Sequence, residues 1–450
     1  MTRIFIEDTI EKVEESVEIQ GYIETIRLHG KIAFLDVRDM TGIMQVVVIQ
    51  SQTPEAFETV QKLRPQFVVK IEGIIHKRNE RNINPNSKTG SVELESKSLT
   101  ILSEAEVLPF DMGMENLDLQ LPTLLDWRPL TLRHKKTRGI FSVQEALLEG
   151  FRKASQDAGC TEIVVPTISA SSTEGGAEVF KVKYYEHDAF LTQSPQLYKQ
   201  MMVPVFERVF TISHAYRAEP SVTTRHLSEV TQMDCELGFV DFNSLLDSLE
   251  SIAAKMIQYT EKSRKEILES FGVEPVLYGT IPRLRLSDAQ DIIFKETGRD
   301  NRGEKDLDPQ DEIDICAWAK KEHGSDFVTI THFPIKKRAF YTHPDPENPD
   351  LSLSFDLLFR GVEISSGSMR IHEYNALVQA IKDKNMDPGA FEMYLKAFRF
   401  GMPPEGGFSL GLERITMHML NLSNVREASL FPRDMERVDE RFSKEEKKEI

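Results

Sequence analysis

This chain is poor in the residues that build covalent staples and metal cages. It has 3 cysteines in 450 residues, Cys160, Cys235 and Cys316, odd in number and without metal-ligand spacing. Buried or idle thiols in a reducing compartment are expected, not a disulfide framework. No apolar run approaches the length needed to span a bilayer. The N-terminal MTRIFIEDTIEKVEE is acidic and lacks the basic-then-apolar layout of a signal peptide, so a cytoplasmic protein with no membrane partner is expected. Positive charge is in deficit. A formal net charge of −17 argues against indiscriminate coating of nucleic acid, while leaving room for a selective RNA partner at a local basic patch. There is no internal repeat and no βαβ rhythm, so a doubly wound parallel sheet is not expected.

The hydrophobic content, 40%, is enough for two or three domains with real cores. Residues 1–105 alternate short β-type runs with turn signals: SVEIQGYIETI, KIAFLDVRD, GIMQVVVI, FVVKIEGIIH and GSVELES. Between the third and fourth runs, TPEAFETVQKL has helical periodicity. That is where an OB-fold barrel carries its helix, and SH3-like small barrels compete on pattern alone. Residues 106–132 are low in periodicity and read as a hinge. Residues 133–450 mix helices such as RGIFSVQEALLEGFRKASQDAG with strands, giving an α+β domain around an antiparallel sheet. The charged end RVDERFSKEEKKEI reads as a solvated or frayed terminus.

The most informative stretch is RAEPSVTTRHLSEVTQMDCE, 217–236. The apolar run FERVFTISHAY leads into it, so two antiparallel strands joined by a cation-bearing loop are expected. Arg217 and Glu219 fall two apart on one strand and so share a face; Arg225 and His226 lie in the loop. Guanidinium groups placed this way suit a triphosphate, although an exposed ion pair and surface charge are the bland alternatives. Near the C-terminus GGFSLGLERITMHML opens a glycine-rich strand end, with Gly411, into a helix carrying Arg414. The glycines allow close approach of backbone to a ligand, or simply make a turn. In FDLLFRGVEISSG, Asp356 and Glu363 are seven apart, with Ser366 following. Odd spacing puts two carboxylates on opposite faces of one continuous strand, but a turn at Arg360–Gly361 would bring them together, as Mg²⁺ beside a triphosphate requires. A third group comprises Glu174 in STEGG, Gln196 and Lys199 in QSPQLYKQ, and Arg370 in GSMRIH. Two cations with scattered acids suit a ligand bearing two carboxylates and one amine, namely L-aspartate; Lys199 alone would be a surface lysine.

Taken jointly, YRAE at 216–219, TTRH at 223–226, SLGLER at 409–414 and LFPRD at 430–434 resemble class II aminoacyl-tRNA synthetases, specifically the aspartyl-tRNA synthetases of archaeal and eukaryotic type. STEGGAEVF, FLTQSPQLYKQ and EISSGSMRIH extend the likeness over the whole catalytic part. The resemblance implies ATP-dependent attachment of L-aspartate to tRNA-Asp through an aspartyl-adenylate, by a homodimer with Pro166 at its interface. Catalytic roles fall to Arg217, at the α-phosphate and reacting carboxylate, and Arg414, stacked on adenine. Glu219 would meet the adenine amino group, Arg225 and His226 the distal phosphates, and Leu227, Glu363 and Gly411 complete the ATP site. Asp356, Glu363 and Ser366 would hold Mg²⁺. For aspartate, Lys199 and Arg370 would read the side-chain carboxylate; Glu174, Gln196 and Asp234 would hold the ammonium, with Arg217 and Ser366 alongside. In the barrel, Phe34 would stack on an anticodon base and Gln45 would hydrogen-bond one.

Three positions depart from the family pattern. Val230 stands where an aromatic often underlies adenine, Ser409 where glycine is common, and the hinge LPTLLDWRPL lacks further basic residues. Around Glu24 and Arg78–Ile83 the tryptophan and lysine associated with strict tRNA choice are missing, which leans towards charging of tRNA-Asn as well. The rivals are an asparaginyl-tRNA synthetase and a non-catalytic RNA-binding paralogue. A buried Lys199 disfavours the first, because a neutral amide leaves its charge unpaired. The joint presence of Arg217, Arg414, Glu363 and Lys199 disfavours the second.

Overall fold

The computed structural model describes residues 2–85, 87–170, 179–218 and 223–442, which fall into two compact units, Met1–Asp118 and Leu119–Ile450. Among the described residues no helix is long and apolar enough to cross a membrane.

The first unit is a closed barrel of β1 (Ser16–His29), β2 (Ile32–Arg38), β3 (Ile43–Ile49), β4 (Val68–Lys77) and β5 (Val92–Ser103), in the order β1-β2-β3-β5-β4. The long first strand closes it by pairing with β4 through Ser16–Tyr22 and with β2 through Tyr22–His29. Strict alternation drives the closure: Ala33, Leu35 and Val37 are buried, while Phe34 and Asp36 between them face outward. The helix Pro54–Val60 joins β3 to β4 and seals the core with Ala56, Phe57 and Val60. That is the OB arrangement expected from the sequence.

The second unit is built on an eight-stranded sheet. Its strands are β6 (Thr161–Glu162), β10 (Arg208–Tyr216), β11 (Glu229–Gly238), β12 (Arg283–Arg285), β13 (Phe327–Thr331), β14 (Ser354–Phe359), β15 (Val362–Met369) and β16 (Glu405–Gly411). A small sheet of β7 (Ile168–Ser169), β8 (Lys181–Tyr184) and β9 (His187–Leu191) stands apart from it. The large sheet runs β12-β13-β14-β15-β16-β11-β10-β6. Its six central strands are antiparallel, as expected, but both edge strands pair parallel to their neighbours. Both connections are long, as parallel pairing needs: two helices lie between β12 and β13, and the small sheet with one helix, Gln196–Phe206, lies between β6 and β10.

Two amphipathic helices, Lys135–Asp157 and Phe242–Ser263, share the main core with strand residues Phe210, Cys235, Phe355 and Phe408. Burial of Ile140, Val143, Leu147, Phe151 and Ala154 at three- and four-residue spacing fixes the first. The second begins at a reciprocal capping box of Asp241 and Ser244. Cys160 and Cys235, distant in sequence, meet inside this core, and all three thiols are free and buried.

Candidate active site

The floor of the site is one face of three adjacent strands. Across β11, β16 and β15 the register pairs Asp234 with Ser409 and Ser409 with Ser366, then Glu236 with Gly407 and Gly407 with Ser368. Alternation therefore sets these side chains on a common side, and the Ser409 hydroxyl reaches Asp234 Oδ2 at 3.2 Å.

At the inner end lies a buried polar network. Lys199, 1% exposed, comes from the helix Gln196–Phe206 and sits 2.9 Å from Asp234 Oδ1 and 3.1 Å from Glu236 Oε2. Its remaining donor directions face the carbonyls of Cys235 and Phe408 at 3.4 and 3.3 Å. Arg370, also buried, donates from Nε to Glu236 Oε1 at 2.7 Å, from Nη2 to Glu236 Oε2 at 3.3 Å, from Nη1 to Ser368 Oγ at 2.7 Å and from Nη2 to Gln196 Oε1 at 3.2 Å. Gln196 passes the chain to Gln200 at 2.9 Å, and Gln200 donates to Glu405 Oε1 at 2.8 Å.

Burial alone would depress the Lys199 ammonium, but Asp234 and Glu236 more than offset it and hold it above the usual lysine range. Burial raises the Asp234 carboxyl, with Lys199 pulling against it. Burial likewise opposes ionisation of Glu236, yet Arg370 and Lys199 keep it below the ordinary carboxylate range. Glu405 is different: burial, then the neighbouring Glu236 charge, pushes its carboxyl far up, and its Oε2 has no hydrogen-bond partner. It stands beside the ion pairs that Glu236 makes with Lys199 and Arg370. Glu236 fits only because residue 407 is glycine, since a Cβ there would overlap the Glu236 carboxylate and the Cys235 carbonyl.

The network opens onto a cleft lined by Arg217, Arg225, His226, Leu227, Val230, Gln232, Glu363, Ser366, Ser409, Gly411 and Arg414. The loop bearing the first of these is tied at three places: Arg217 N to Ser228 O (2.9 Å), Ser228 N to Arg433 O (2.8 Å) and Val425 N to Thr224 O (2.9 Å). The LFPRD segment thus buttresses the cation loop. Glu413 accepts the Thr231 amide at 3.0 Å on both carboxylate oxygens and clamps the helix Leu412–Met419 to β11. Burial pushes the Glu413 carboxyl up to about 7, against those hydrogen bonds. At Gly411 a Cβ would meet nothing nearer than Arg414 Cβ at 3.8 Å, so any demand for glycine there comes from the open cleft.

Asp356 and Glu363 stand on separate strands, β14 and β15, joined by a two-residue turn at Arg360 and Gly361 with φ of 49° and 86°. A bulge at Leu357/Leu358 further shifts the register, and Asp356 pairs with Ser366. Both carboxylates already have cations: Asp356 Oδ2 accepts from Arg338 Nη2 at 2.9 Å, and Glu363 Oε2 lies 3.6 Å from Arg414 Nη1. The cleft walls, then Asp356, raise the Glu363 carboxyl, while Arg414, Arg338 and Arg217 lower it. Asp356 Oδ1 is buried with no hydrogen-bond partner, an acceptor suited to a cation. Among the described residues no three His, Cys, Asp or Glu side chains converge on one point. Mg²⁺ does not require such a cage, because it takes one or two carboxylates and completes its shell with phosphate oxygens and water.

The structure therefore brings Gln196, Lys199, Asp234 and Arg370 into one buried network, and Arg217, Arg225, His226, Leu227, Glu363, Ser366, Gly411 and Arg414 into the cleft above it. Glu174 and Glu219 lie outside the described residues. In the barrel unit Phe34 and Gln45 lie on the outer surface: Phe34 meets the His29 ring edge-on at 5.9 Å, and Gln45 donates to Glu93 at 3.0 Å and accepts from Arg27 at 3.4 Å. Sequence reasoning passed over Glu236, Arg338 and Glu405. Glu236 carried a signal, since it is two residues from Asp234 and must share its face; Arg338 in IKKRAF carried none.

Residues 120–435 match the family described as tRNA synthetases class II (D, K and N), and residues 17–102 match the OB-fold nucleic acid binding domain. Among curated proteins, the aspartate–tRNA(Asp/Asn) ligase of Thermus thermophilus is 38% identical over 440 residues, covering 97% of this chain and 99% of that protein. The aspartate–tRNA(Asp) ligase of Picrophilus torridus is 38% identical over 439 residues, with 97% and 99% coverage. Among solved structures, asparaginyl-tRNA synthetase from Pyrococcus horikoshii complexed with asparaginyl-adenylate superposes with a TM-score of 0.89 at 30% identity, covering 97% of this chain and 99% of that one. With matches of this extent in both units, the chain belongs to the class II tRNA synthetases, in the family of the aspartate–tRNA ligases.

Proposed function

We propose that this enzyme activates L-aspartate with ATP and transfers it to tRNA-Asp, and with relaxed choice to tRNA-Asn, acting in the cytoplasm as a homodimer. The observation that carries this reading is the buried Lys199–Arg370 pair, set among Asp234 and Glu236 at the closed end of a cleft whose mouth bears Arg217, Arg225, His226 and Arg414. An aspartate seated on that face of the sheet would set its side-chain carboxylate against Lys199 and Arg370. Its ammonium would meet Asp234 and Gln196, with Glu174 as a further acidic partner. Asparagine would present an amide NH₂ to the same cations, a mismatch without a compensating acceptor.

ATP would lie in the outer cleft, adenine against Arg414, Leu227 and Val230 with Glu219 at its edge, triphosphate towards Arg225 and His226. Arg217 would hold the α-phosphate against the incoming α-carboxylate. The carboxylate oxygen bonds to the α-phosphorus, the bond to the bridging oxygen of pyrophosphate breaks, and pyrophosphate leaves. Orientation and fixed positive charge then supply the catalysis, with no protein nucleophile. Asp356, Glu363 and Ser366 are the residues that would hold magnesium, and the unpaired Asp356 Oδ1 fits that role. When bound, Mg²⁺ would neutralise phosphate charge. The terminal ribose hydroxyl of the tRNA next attacks the carbonyl carbon of the adenylate, forming the ester and releasing AMP. Phe34 and Gln45 would read the anticodon. The homodimer would form across the segment that carries Pro166.

Aspartate-dependent ATP–pyrophosphate exchange tests the reading. Exchange with aspartate and none with asparagine is expected; the reverse would overturn it.

A further inference from the structure

One acid paired with a cleft arginine has no task in this chemistry. Glu312 is presented by the helix Pro309–His323, whose start is fixed by a reciprocal capping box of Asp308 and Asp311. Its Oε2 stands 3.1 Å from Arg225 Nη1, with side chains 15% and 25% exposed respectively. Glu363 and Arg414 are close enough for their charges to act on the same carboxyl. At this place Glu312 opposes a bound polyanion in two ways: it repels the phosphates, and it holds one N–H of a guanidinium whose donors they would otherwise take.

We propose that Glu312 is an internal counter-ion for Arg225 that competes with the distal phosphates of ATP and with pyrophosphate, loosening their hold so that pyrophosphate departs once the adenylate has formed. The proposal rests on assigning Arg225 to the distal phosphates. Glu312 touches no reacting atom and acts through Arg225.

The test uses the full-length enzyme, with Glu312→Gln and Glu312→Asp compared in aspartate-dependent exchange. For Glu312→Gln, the KM for ATP and the KM for inorganic pyrophosphate, the co-substrate of exchange, should each fall about three- to fivefold, the scale of a partly exposed ion pair. The KM for aspartate and the inhibition constant of AMP, which lacks the distal phosphates, should not move. Glu312→Asp, which keeps the charge, should stay within about twofold of the parent. An unchanged or raised KM for pyrophosphate in a Glu312→Gln enzyme with an unaltered melting temperature would overturn the proposal and leave Glu312 a structural contact. If instead Arg225→Gln leaves the KM for ATP unchanged, the assignment of Arg225 itself fails, and the proposal with it.

Discussion

Gly407 faces Glu236 across the β11–β16 ladder, and the Glu236 carboxylate occupies the space that a side chain at 407 would fill. The glycine is thus required both by the carboxylate of Glu236, the shared anchor of Lys199 and Arg370, and by the Cys235 carbonyl of the adjoining strand. Gly407→Ala should displace Glu236 and raise the KM for aspartate at least about tenfold, equivalent to about 1.4 kcal/mol, with the KM for ATP nearly unchanged. Exchange kinetics at saturating ATP check this; an unaltered aspartate KM would show that Glu236 does not set the site.

Removing the Lys199 ammonium leaves Asp234 and Glu236 facing each other in a buried space. Lys199→Met should raise the KM for aspartate about a hundredfold or more and lower stability by about 3 kcal/mol, since uncompensated buried charge is expensive. Urea unfolding separates the two effects. A variant with normal aspartate affinity would remove Lys199 from substrate recognition.

Val230 packs beside Leu227, Met417 and Val425 and lines the cleft. An aromatic ring there would add a second face to the adenine site. Val230→Phe should tighten ATP about three- to tenfold, within the about 1–3 kcal/mol that base stacking on an aromatic contributes. Equilibrium binding of ATP decides it, and unchanged affinity would refute the placing of adenine.

Glu413 has a folded-state pKa near 7, above the 4.5 of a free glutamate. Its contribution is fully present below about pH 4.5 and is lost as pH rises through about 7, because the folded chain holds the extra proton across that window. Stability should therefore fall between about pH 4.5 and 7, by at most about 3 kcal/mol from this group. In Glu413→Gln, where the amide oxygen still accepts from Thr231, thermal melts should show a flatter decline. An identical slope in both proteins would contradict the burial argument.

Much of this arrangement was legible because it follows from period and alternation. The barrel strands could be read from the alternation around Phe34, and the turn at Arg360–Gly361 was the way to bring Asp356 and Glu363 together. The residues that sequence reasoning missed are joined to the site by long-range packing. Arg338 reaches Asp356 from a loop without periodicity, and Glu405 enters the network only through Gln200 and the sheet register. Two short helices, Leu121–Asp126 and Arg128–Thr131, stand in the stretch that read as a hinge. They are too short to show a 3.6-residue period, and buried Arg128 anchors them through the carbonyls of Glu427, Ser429 and Leu430. The polar network was partly visible as residue types, but its pairing was not, since register, not composition, decides which acid meets which cation.

The most direct test is charging of tRNA-Asp and tRNA-Asn transcripts, side by side, with aspartate and with asparagine. The account predicts aspartate esterified to both transcripts and no product with asparagine. Asparagine charging, or no charging at all, would contradict the roles given to Lys199 and Arg370; aspartate on tRNA-Asp alone would contradict the relaxed choice of tRNA.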